Sequence, residues 1–584
     1  MNYAARAQPD ITANLPAWRA GVLFALLLAG LAGLLGRGVY LQGIHDDFLQ
    51  KKGDARYSRV IEVSAHRGMI TDRHGEPLAV STPVESVWAS PPDVEVNARQ
   101  LKKLAQILGM NSEELKNRLF DTSRDFVYLK RQLPPEQAEQ VVSLNLPGVS
   151  LRREYRRYYP VGEEAAQTLG FTSVDDVGQE GLELMLQEQL AGIPGSQRVI
   201  KDRRGRIVEE TGSLHAPKPG SDVALSIDSK IQYLAYRELK QAIEKHRAKA
   251  GAVVVLDANS GEVLALANYP GFNPNNRNNT GSKAMRNRAI ADLFEPGSTM
   301  KPFTVATALE SGKVGANTLI NTEHGVFKVN NRTIHDAHPE TMLSVAQIIQ
   351  KSSNIGSAKL ALSLTPATLW QSLSDSGFGE KTGSNFPGEA SGKLRDPKTW
   401  RPIEQATLSY GHGMSVNLLQ LARAYTIFAN GGELKPVSLL KLDKPKLEKS
   451  DGQINGKRIF SERTVRAVSG MLELVVSPGG TAPLAQVAGY RVAGKTGTAH
   501  KLEDGRYVDR YVASFVGFAP ASNPRLVVAV MIDEPSGVEY YGGQVAAPVF
   551  SKVTGAALRE LNVPNDAPLN SVTMPPLDVI KEEV

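Results

Sequence analysis

Phe294-Glu295-Pro296-Gly297-Ser298-Thr299-Met300-Lys301-Pro302-Phe303 is the stretch on which the reading of this chain turns. Pro-Gly ahead of Ser reads as a loop feeding a helix start, and Val305, Ala306, Ala308 and Leu309 continue an apolar helix. A serine at that point has its own N–H outside the helical ladder and feels the positive end of the helix dipole. Lys301 lies three residues on, one turn away on the same face. The geometry suits a serine nucleophile deprotonated by a lysine. An unperturbed lysine, with a pKa of about 10.4, is a poor base at neutral pH. Burial or a second cation close by must make it easier to deprotonate.

The spacing alone is weak, because Ser438-Leu439-Leu440-Lys441 repeats it two residues after Pro436. That copy lacks a helix start and reads as surface strand or turn. Two further segments complete a set. Ser352-Ser353-Asn354 follows the helix-like run Val345 to Lys351, with a hydroxyl to relay a proton and an amide to hold a substrate peptide group. Tyr490 to Ala499 reads as an edge strand carrying Lys495-Thr496-Gly497-Thr498. Lys495 supplies the second cation, Thr496 and Thr498 suit a carboxylate, and the N–H groups of Ser298 and Thr498 form a candidate oxyanion hole. These motifs also have decoys. Lys381-Thr382-Gly383 stands in a Gly-rich stretch without a strand, Ser415-Val416-Asn417 opens a Leu-rich helix where Ser415 reads as a cap, and Ser143-Leu144-Asn145 has no fitting context. The ordered triple, with each member in its proper local structure, is the strong signal.

Outward from this set, Val223 to Ile227 reads as a strand, 230–246 as an amphipathic helix, and 251–257 with 262–267 as a hairpin. Helices dominate to about 430. Strands return at 490–499, 511–518 and 525–533, and a helix follows at 548–561. Strands at both ends with helices between predict one antiparallel sheet and a helical lobe. His-Ala-Pro-Lys-Pro-Gly (215–220) reads as a linker. Before it, strands and short helices alternate, with Leu101, Leu104, Ile107 and Leu108 at helical spacing and a new start at Asn111-Ser112.

Near the N-terminus, Ala20 to Gly36 carries no charge and is flanked by Arg19 and Arg37, with Trp18 and Tyr40 where interfacial aromatics belong. An uncleaved anchor is favoured over a cleaved signal peptide, because the run exceeds a usual signal core and no sharp polar cleavage region follows. The expected organisation is multidomain α/β: a cytoplasmic tail (1–19), a single transmembrane helix (20–41), an elongated α+β pedestal (42–220), a catalytic domain (221–562) and a mobile Pro-rich tail (563–584). Residues 42–60 read as a polar continuation of the helix. Everything after residue 41 then lies outside the cytoplasm. The 584 residues contain no cysteine, which excludes disulfides, thiolate metal sites and a cysteine nucleophile. A formal charge of +6, with no basic stripe interleaved with aromatics, gives no sign of a nucleic-acid partner. No His/Asp/Glu set stands at metal-ligand spacing, so neither metal nor cofactor is expected. His412, between two glycines, reads as a loop histidine, and Asp292 and Glu295 as acids favoured by the helix dipole that can also tune Lys301.

With its triple in place the chain resembles the class B penicillin-binding proteins. The resemblance runs from the anchor to about residue 562. Besides the triple it rests on Arg67-Gly68 through Ala79, Tyr158-Tyr159-Pro160, Gly178 to Glu183, Ser477-Pro478-Gly479-Gly480-Thr481-Ala482 and Tyr540-Tyr541-Gly542-Gly543. Within that class the short pedestal and His66 to Arg73 are most similar to the division-specific branch of Gram-negative bacteria, with the elongation branch as the alternative. The resemblance implies a transpeptidase of the inner membrane with its catalytic domain in the periplasm. Its donors are peptidoglycan stem peptides ending in D-Ala-D-Ala, and Ser298 is acylated with loss of D-Ala before the amine of a neighbouring stem attacks. It implies Ser352 and Asn354 as relay and substrate holder, substrate contacts from Thr496, Gly497 and Thr498, and Tyr540 and Tyr541 as an aromatic wall. It further implies covalent inhibition by β-lactams, and docking of a lipid-II-polymerising glycosyltransferase (SEDS type) and other division proteins on the pedestal.

Other readings are weaker. A β-lactamase shares the chemistry but needs neither span nor pedestal, and a penicillin sensor differs in whether native stems turn over. A catalytically silent scaffold conflicts with three intact motif elements. Gly489-Tyr490-Arg491-Val492-Ala493-Gly494-Lys495-Thr496 matches a nucleotide-binding P-loop letter for letter, but its interior is a strand pattern and no helix opens at the lysine.

Overall fold

The computed structural model describes residues 16–44, 58–201, 207–278, 281–442, 456–503, 505–570 and 572. The expected tail 1–19 and polar extension 42–60 therefore fall largely outside the described residues. The chain forms two compact units, one of Met1–Ser64, Val84–Glu154 and Pro194–Lys218, the other of Ala65–Pro83, Tyr155–Ile193 and Pro219–Val584. The division is not the single cut after residue 220 that the linker suggested. Two earlier segments of the expected pedestal belong to the larger unit.

In the smaller unit, the helix Ala17–Val39 continues as a wider helical turn through Tyr40–Ile44. The run Ala17–Gly43 has a mean hydropathy of 2.1 and is apolar and long enough to cross a membrane. Arg19 and Arg37 lie over the rings of Trp18 and Tyr40, each 5.5 Å from the centroid. The helix Ala98–Leu108 begins at Asn97, whose side chain forms a reciprocal capping box with Gln100, and stops at Gly109. Its Leu104 and Leu108 are buried with Leu115 and Leu119 of the following helix, Ser112–Leu119, whose cap is Asn111.

The larger unit is built on five antiparallel strands: β1 (Ala250–Asp257), β2 (Val263–Tyr269), β3 (Ala493–Glu503), β4 (Arg506–Ala519) and β5 (Leu526–Asp533), in the order β2-β1-β5-β4-β3. Every residue of β1 and β5 is buried. Successive side chains point to opposite faces, so both faces of the sheet centre are covered, which explains the unbroken apolar runs in their sequences. Helices α1 (Ser229–Lys245), α4 (Leu418–Ala429), α5 (Glu462–Val476) and α6 (Ala547–Glu560) pack on the sheet, while α2 (Lys301–Glu310) and α3 (Asn354–Leu362) pack on each other in the helical lobe. Helix α1 is capped by Asp228, which accepts from the N–H groups of Lys230 and Ile231. Helices α1 and α6 pack on each other, and α4 packs against β1 and β5.

Strand β3 is an edge strand, as its Gly- and Thr-rich sequence suggests, and Lys495 lies inside it with no helix opening there. The P-loop reading therefore fails on geometry. The chain beyond α6 departs from the expectation of mobility at its start. Tyr490 donates to the Val563 carbonyl at 2.7 Å, and Asp566 accepts from Arg491 N at 2.7 Å and from Ser522 Oγ at 2.6 Å. Most of the remaining tail lies outside the described residues.

The early segments are bound into the larger unit by a buried ion cluster. Glu183 accepts from Arg67 Nε at 2.8 Å and from Arg157 Nε at 2.6 Å, while Arg67 also donates to Gln187 at 2.8 Å and Arg157 to Ser81 Oγ at 3.0 Å. Asn275 then clamps the backbone of Tyr159, and Thr168 donates to the Leu266 carbonyl in β2. Removing the shared carboxylate leaves two buried guanidinium groups facing each other. Glu183→Ala should cost about 3–5 kcal/mol, read as a lowered Tm in thermal unfolding, and a loss under about 1 kcal/mol would contradict this account of the cluster.

Candidate active site

Ser298 sits on the short 3-10 turn Gly297–Met300, which leads into α2 with Pro302 in its first turn. Proline is tolerated there because the first helical N–H groups have no partner within the helix. Ser298 is 7% exposed and Lys301 is fully buried. Two neighbours fix the turn. Gly411 adopts φ +84°, and a Cβ on it would lie 2.3 Å from the Gly297 carbonyl oxygen. Tyr425 of α4, also buried, donates its hydroxyl to the Thr299 carbonyl at 2.8 Å.

Lys301 Nζ points at Ser352. It donates to the Ser352 carbonyl and, at 3.1 Å, to Ser352 Oγ. Lys495 Nζ reaches the same Oγ from β3 at 3.0 Å. One hydroxyl oxygen thus receives two buried ammonium groups from elements 194 residues apart (495 − 301). Ser352 ends the helix Val345–Lys351 in the left-handed region, at φ 62° and ψ 36°, an uncommon conformation for a residue with a side chain. The following residues hold it there. Ser353 caps α3 through the Gly356 N–H and donates to Asp336 Oδ2 at 2.6 Å, and Asp336 Oδ1 accepts from Ile355 N at 2.8 Å. Asn354 opens α3 and donates to the His335 carbonyl at 3.3 Å.

The strand side is equally specified. Thr496 shares a hydrogen bond of 3.1 Å with Thr481, and Thr498 Oγ1 accepts from Gly542 N at 3.0 Å. Gly497 touches the serine turn. A Cβ on it would lie 2.6 Å from the Pro296 carbonyl oxygen, 2.6 Å from Ser514 Oγ and 3.0 Å from the Thr299 side chain. The sequence-predicted residues Ser298, Lys301, Ser352, Asn354, Lys495, Thr496, Gly497 and Thr498 are therefore gathered in one place.

Tyr540 and Tyr541 form a pair, with ring centroids 4.4 Å apart and hydroxyls at 3.1 Å, and Tyr511 stacks on Tyr540 at 4.4 Å. His500, two residues beyond Thr498, lies 4.6 Å from the Tyr511 ring. Glu295 accepts from Gly413 N at 2.8 Å and from the Tyr507 hydroxyl, while Asp292 is engaged by Arg286 and by Arg288 at 2.7 Å. The half-buried His412 belongs to the Tyr410–Gly413 loop beside the serine turn. Burial first, then the charges of Lys301 and His500, push its imidazole down to about 4.

The decoys lie in other settings. Ser438 Oγ turns back onto the Leu440 carbonyl, Thr382 binds Glu389, and exposed Ser143 bonds the Gln140 carbonyl. Ser415 does not cap α4. Asn417 does, accepting from Gln420 N at 2.7 Å, while Ser415 pairs backbone to backbone with Lys393. Residues whose part in the site the sequence does not announce are Asp336, Gly411, Tyr425 and Tyr511. No local pattern marks them, because each acts on a partner distant in sequence. Thr481 belongs to the Ser477–Ala482 motif, and its bond to Thr496 is a tertiary contact that the motif does not announce. Among the described residues no cluster of three or more His, Asp or Glu is arranged to hold a metal ion.

Gly497→Ala should displace the serine turn from β3 and slow labelling by a fluorescent penicillin about 100-fold while cooperative unfolding persists. Unchanged labelling would contradict the contact. Because the His412 imidazole is held near 4, it is already neutral above about pH 5 and its proton is gone before the physiological range. His412→Gln should therefore leave the pH dependence of labelling between about 5 and 8 unmoved, and a shifted acidic limb would contradict that assignment.

Comparison with known proteins places these features in a family. Residues 251–555 match the penicillin binding protein transpeptidase domain, and residues 62–225 match the penicillin-binding protein dimerisation domain. The chain is 44% identical over 558 residues to a protein of Neisseria meningitidis named probable peptidoglycan D,D-transpeptidase PenA, covering 95% of this chain and 94% of that one. It is also 44% identical over 563 residues to the peptidoglycan D,D-transpeptidase FtsI of Escherichia coli K12, covering 95% and 94%. The solved transpeptidase domain of Burkholderia pseudomallei penicillin-binding protein 3 matches 59% of this chain and 98% of its own length, at 50% identity and a TM-score of 0.54. A peptidoglycan synthetase of Bifidobacterium adolescentis matches 88% of this chain and 99% of its own, at 25% identity and a TM-score of 0.69. With both domains matched in order and relatives matched over almost their whole length, the chain belongs to the penicillin-binding protein transpeptidases.

Proposed function

We propose that the protein is a serine-type peptidoglycan D,D-transpeptidase of cell division, working through an acyl-enzyme on Ser298. The observation that carries this reading is the single hydroxyl of Ser352 shared by the buried Lys301 and Lys495 at 3.1 and 3.0 Å. Two like charges on one acceptor in a water-poor site repel, so the pair sheds a proton more readily than an isolated lysine. Lys301, one helical turn from Ser298, is then the base.

Ser298 Oγ bonds to the carbonyl carbon of the penultimate D-alanine as Lys301 takes its proton. The N–H groups of Ser298 and Thr498 hold the developing oxyanion, an effect worth several kcal/mol in comparable sites. The C–N bond to the terminal D-alanine breaks, and its nitrogen receives the proton through Ser352. The amine of a second stem then attacks the ester carbonyl. Its proton returns to Ser298 Oγ as the C–O bond breaks, leaving a peptide cross-link. Asn354 holds the donor peptide, while Thr496, Gly497, Thr498 and Lys495 receive its terminal carboxylate and Tyr540 and Tyr541 wall the cleft. A β-lactam acylates the same oxygen, but its leaving nitrogen stays tethered in the site, so the ester persists.

The N-terminal helix anchors the chain once in the inner membrane, with the catalytic domain (221–562) in the periplasm. The region 42–220 is the module on which a lipid-II-polymerising glycosyltransferase of SEDS type and other divisome proteins dock. Membranes holding the full-length protein, treated with fluorescent penicillin, should give a stable covalent band that is lost in Ser298→Ala and kept in Ser438→Ala. With a stem-peptide donor and acceptor the wild type should release D-alanine and form cross-linked dimer. A band surviving in Ser298→Ala, or no turnover by a labelled wild type, would overturn the reading.

A further inference from the structure

The segment 534–539 joins β5 to the Tyr540–Tyr541 pair, and the reaction described above gives it no task. Its root is fixed. Glu534 adopts φ +50°, its carboxylate accepts from Lys249 at 2.7 Å and from Lys501 at 2.6 Å, and its N–H donates to the Tyr511 carbonyl at 2.9 Å. Its middle is attached elsewhere. The N–H groups of Ser536 and Gly537 both donate to the His246 carbonyl at 3.1 Å, and Ser536 Oγ donates to the Arg247 carbonyl at 2.6 Å.

This middle attachment is a seat made by the end of α1. His246 closes that helix, and Arg247, at φ +47°, turns the chain away from it. The carbonyls of both lie beyond the helical ladder and take their donors from the segment instead. Past the seat, Val538 is 99% exposed and adds no packing. Glu539 brings a carboxylate within 3.6 Å of His246 Nδ1, beyond hydrogen-bond reach. Burial first, then the charge of Lys245, make the His246 imidazole harder to protonate than usual, and Glu539 offsets only part of this. The imidazole is thus uncharged at neutral pH, and the attachment at Ser536 and Gly537 carries the anchoring. Gly537 and Tyr540 are three residues apart, at most about 10 Å of chain, so a shift at the seat reaches the rings. Tyr511, on which Tyr540 stacks, is carried by β4 and stays where the sheet puts it.

We propose that Ser536 is a positioning residue of the cleft: by fastening its segment to the end of α1 it sets Tyr540 and Tyr541 against Tyr511, and so sets the preference for ligands that carry an aromatic or apolar group beside the reacting carbonyl. The inference rests on the reading of Tyr540 and Tyr541 as a wall of the cleft. Ser536 touches no reacting atom and acts through the placement of the two rings. A ligand with nothing to lay against the wall is indifferent to that placement.

The test compares acylation of the full-length protein in detergent by benzylpenicillin, which has an aromatic side chain, and by 6-aminopenicillanic acid, the same nucleus without one. Ser536→Ala keeps the two backbone bonds and removes the hydroxyl. It should slow acylation by benzylpenicillin about five-fold, the factor set by one ordinary hydrogen bond, and leave the bare nucleus within about two-fold of wild type. Ser536→Thr, which keeps the hydroxyl, should retain the wild-type ratio. A ratio unchanged in Ser536→Ala would overturn the proposal by showing that the ring stack holds itself. Equal slowing with both ligands would overturn it by reducing Ser536 to a general structural role, and a ratio lost as fully in Ser536→Thr would overturn it by removing the hydroxyl from the account. Tyr540→Ala should lower the same ratio. If it does not, the reading of the wall falls instead, and this proposal falls with it.

Discussion

Two buried lysine side chains meeting on one hydroxyl oxygen is an arrangement that a protein must work to hold. Lys301 and Lys495 are each fully buried, and both donate to Ser352 Oγ. Left to relax, the ammonium groups would separate or reach water. They stay because each is fixed by a different rigid element: Lys301 by the first turn of α2, Lys495 by the ladder of β3 and β4, and Ser352 by a left-handed residue between two helices. Much of the larger unit serves to keep these three elements in register, and the chemistry proposed for Ser298 follows from the repulsion they enforce.

The register is set by close contacts more than by large side chains. Gly497 lets β3 press against the serine turn, and Gly411 lets a loop press on the same turn from elsewhere. Tyr425 and Asp336 add directed hydrogen bonds, the first to the carbonyl of Thr299 and the second to the start of α3. Backbone groups next to the reactive residues are thereby satisfied within the protein, so the site can be dry without leaving polar atoms stranded. The five-stranded sheet beneath supplies a scaffold whose centre is buried on both faces.

How much of this was legible in the sequence depended on how local the signal was. Ser298 and Lys301 could be read because a loop-to-helix transition and one helical turn lie within eight residues. Lys495 could be read because its neighbours alternate as a strand, which also disposed of the P-loop match to the same letters. Asp336, Gly411 and Tyr425 could not, since each acts on a segment far away in the chain and only tertiary packing brings them together. Ser415 reads as a cap because it opens the Leu-rich stretch, but Asn417 stands closer to the first helical residue and binds the N–H three positions on. The compact units also divide the chain differently from the expected domains, for a similar reason. Glu183 draws Arg67 and Arg157 into one buried cluster that no linear pattern announces.

The most direct measurement of the central claim is the pH dependence of penicillin acylation in wild type and in Lys495→Gln. If the Lys495 charge eases loss of a proton from Lys301 through Ser352, removing that charge should move the rising limb of the profile to higher pH, apart from any uniform loss of rate. A rising limb at the same pH in both proteins would mean that the two lysines are not electrostatically coupled, and that the activation of Ser298 has another source.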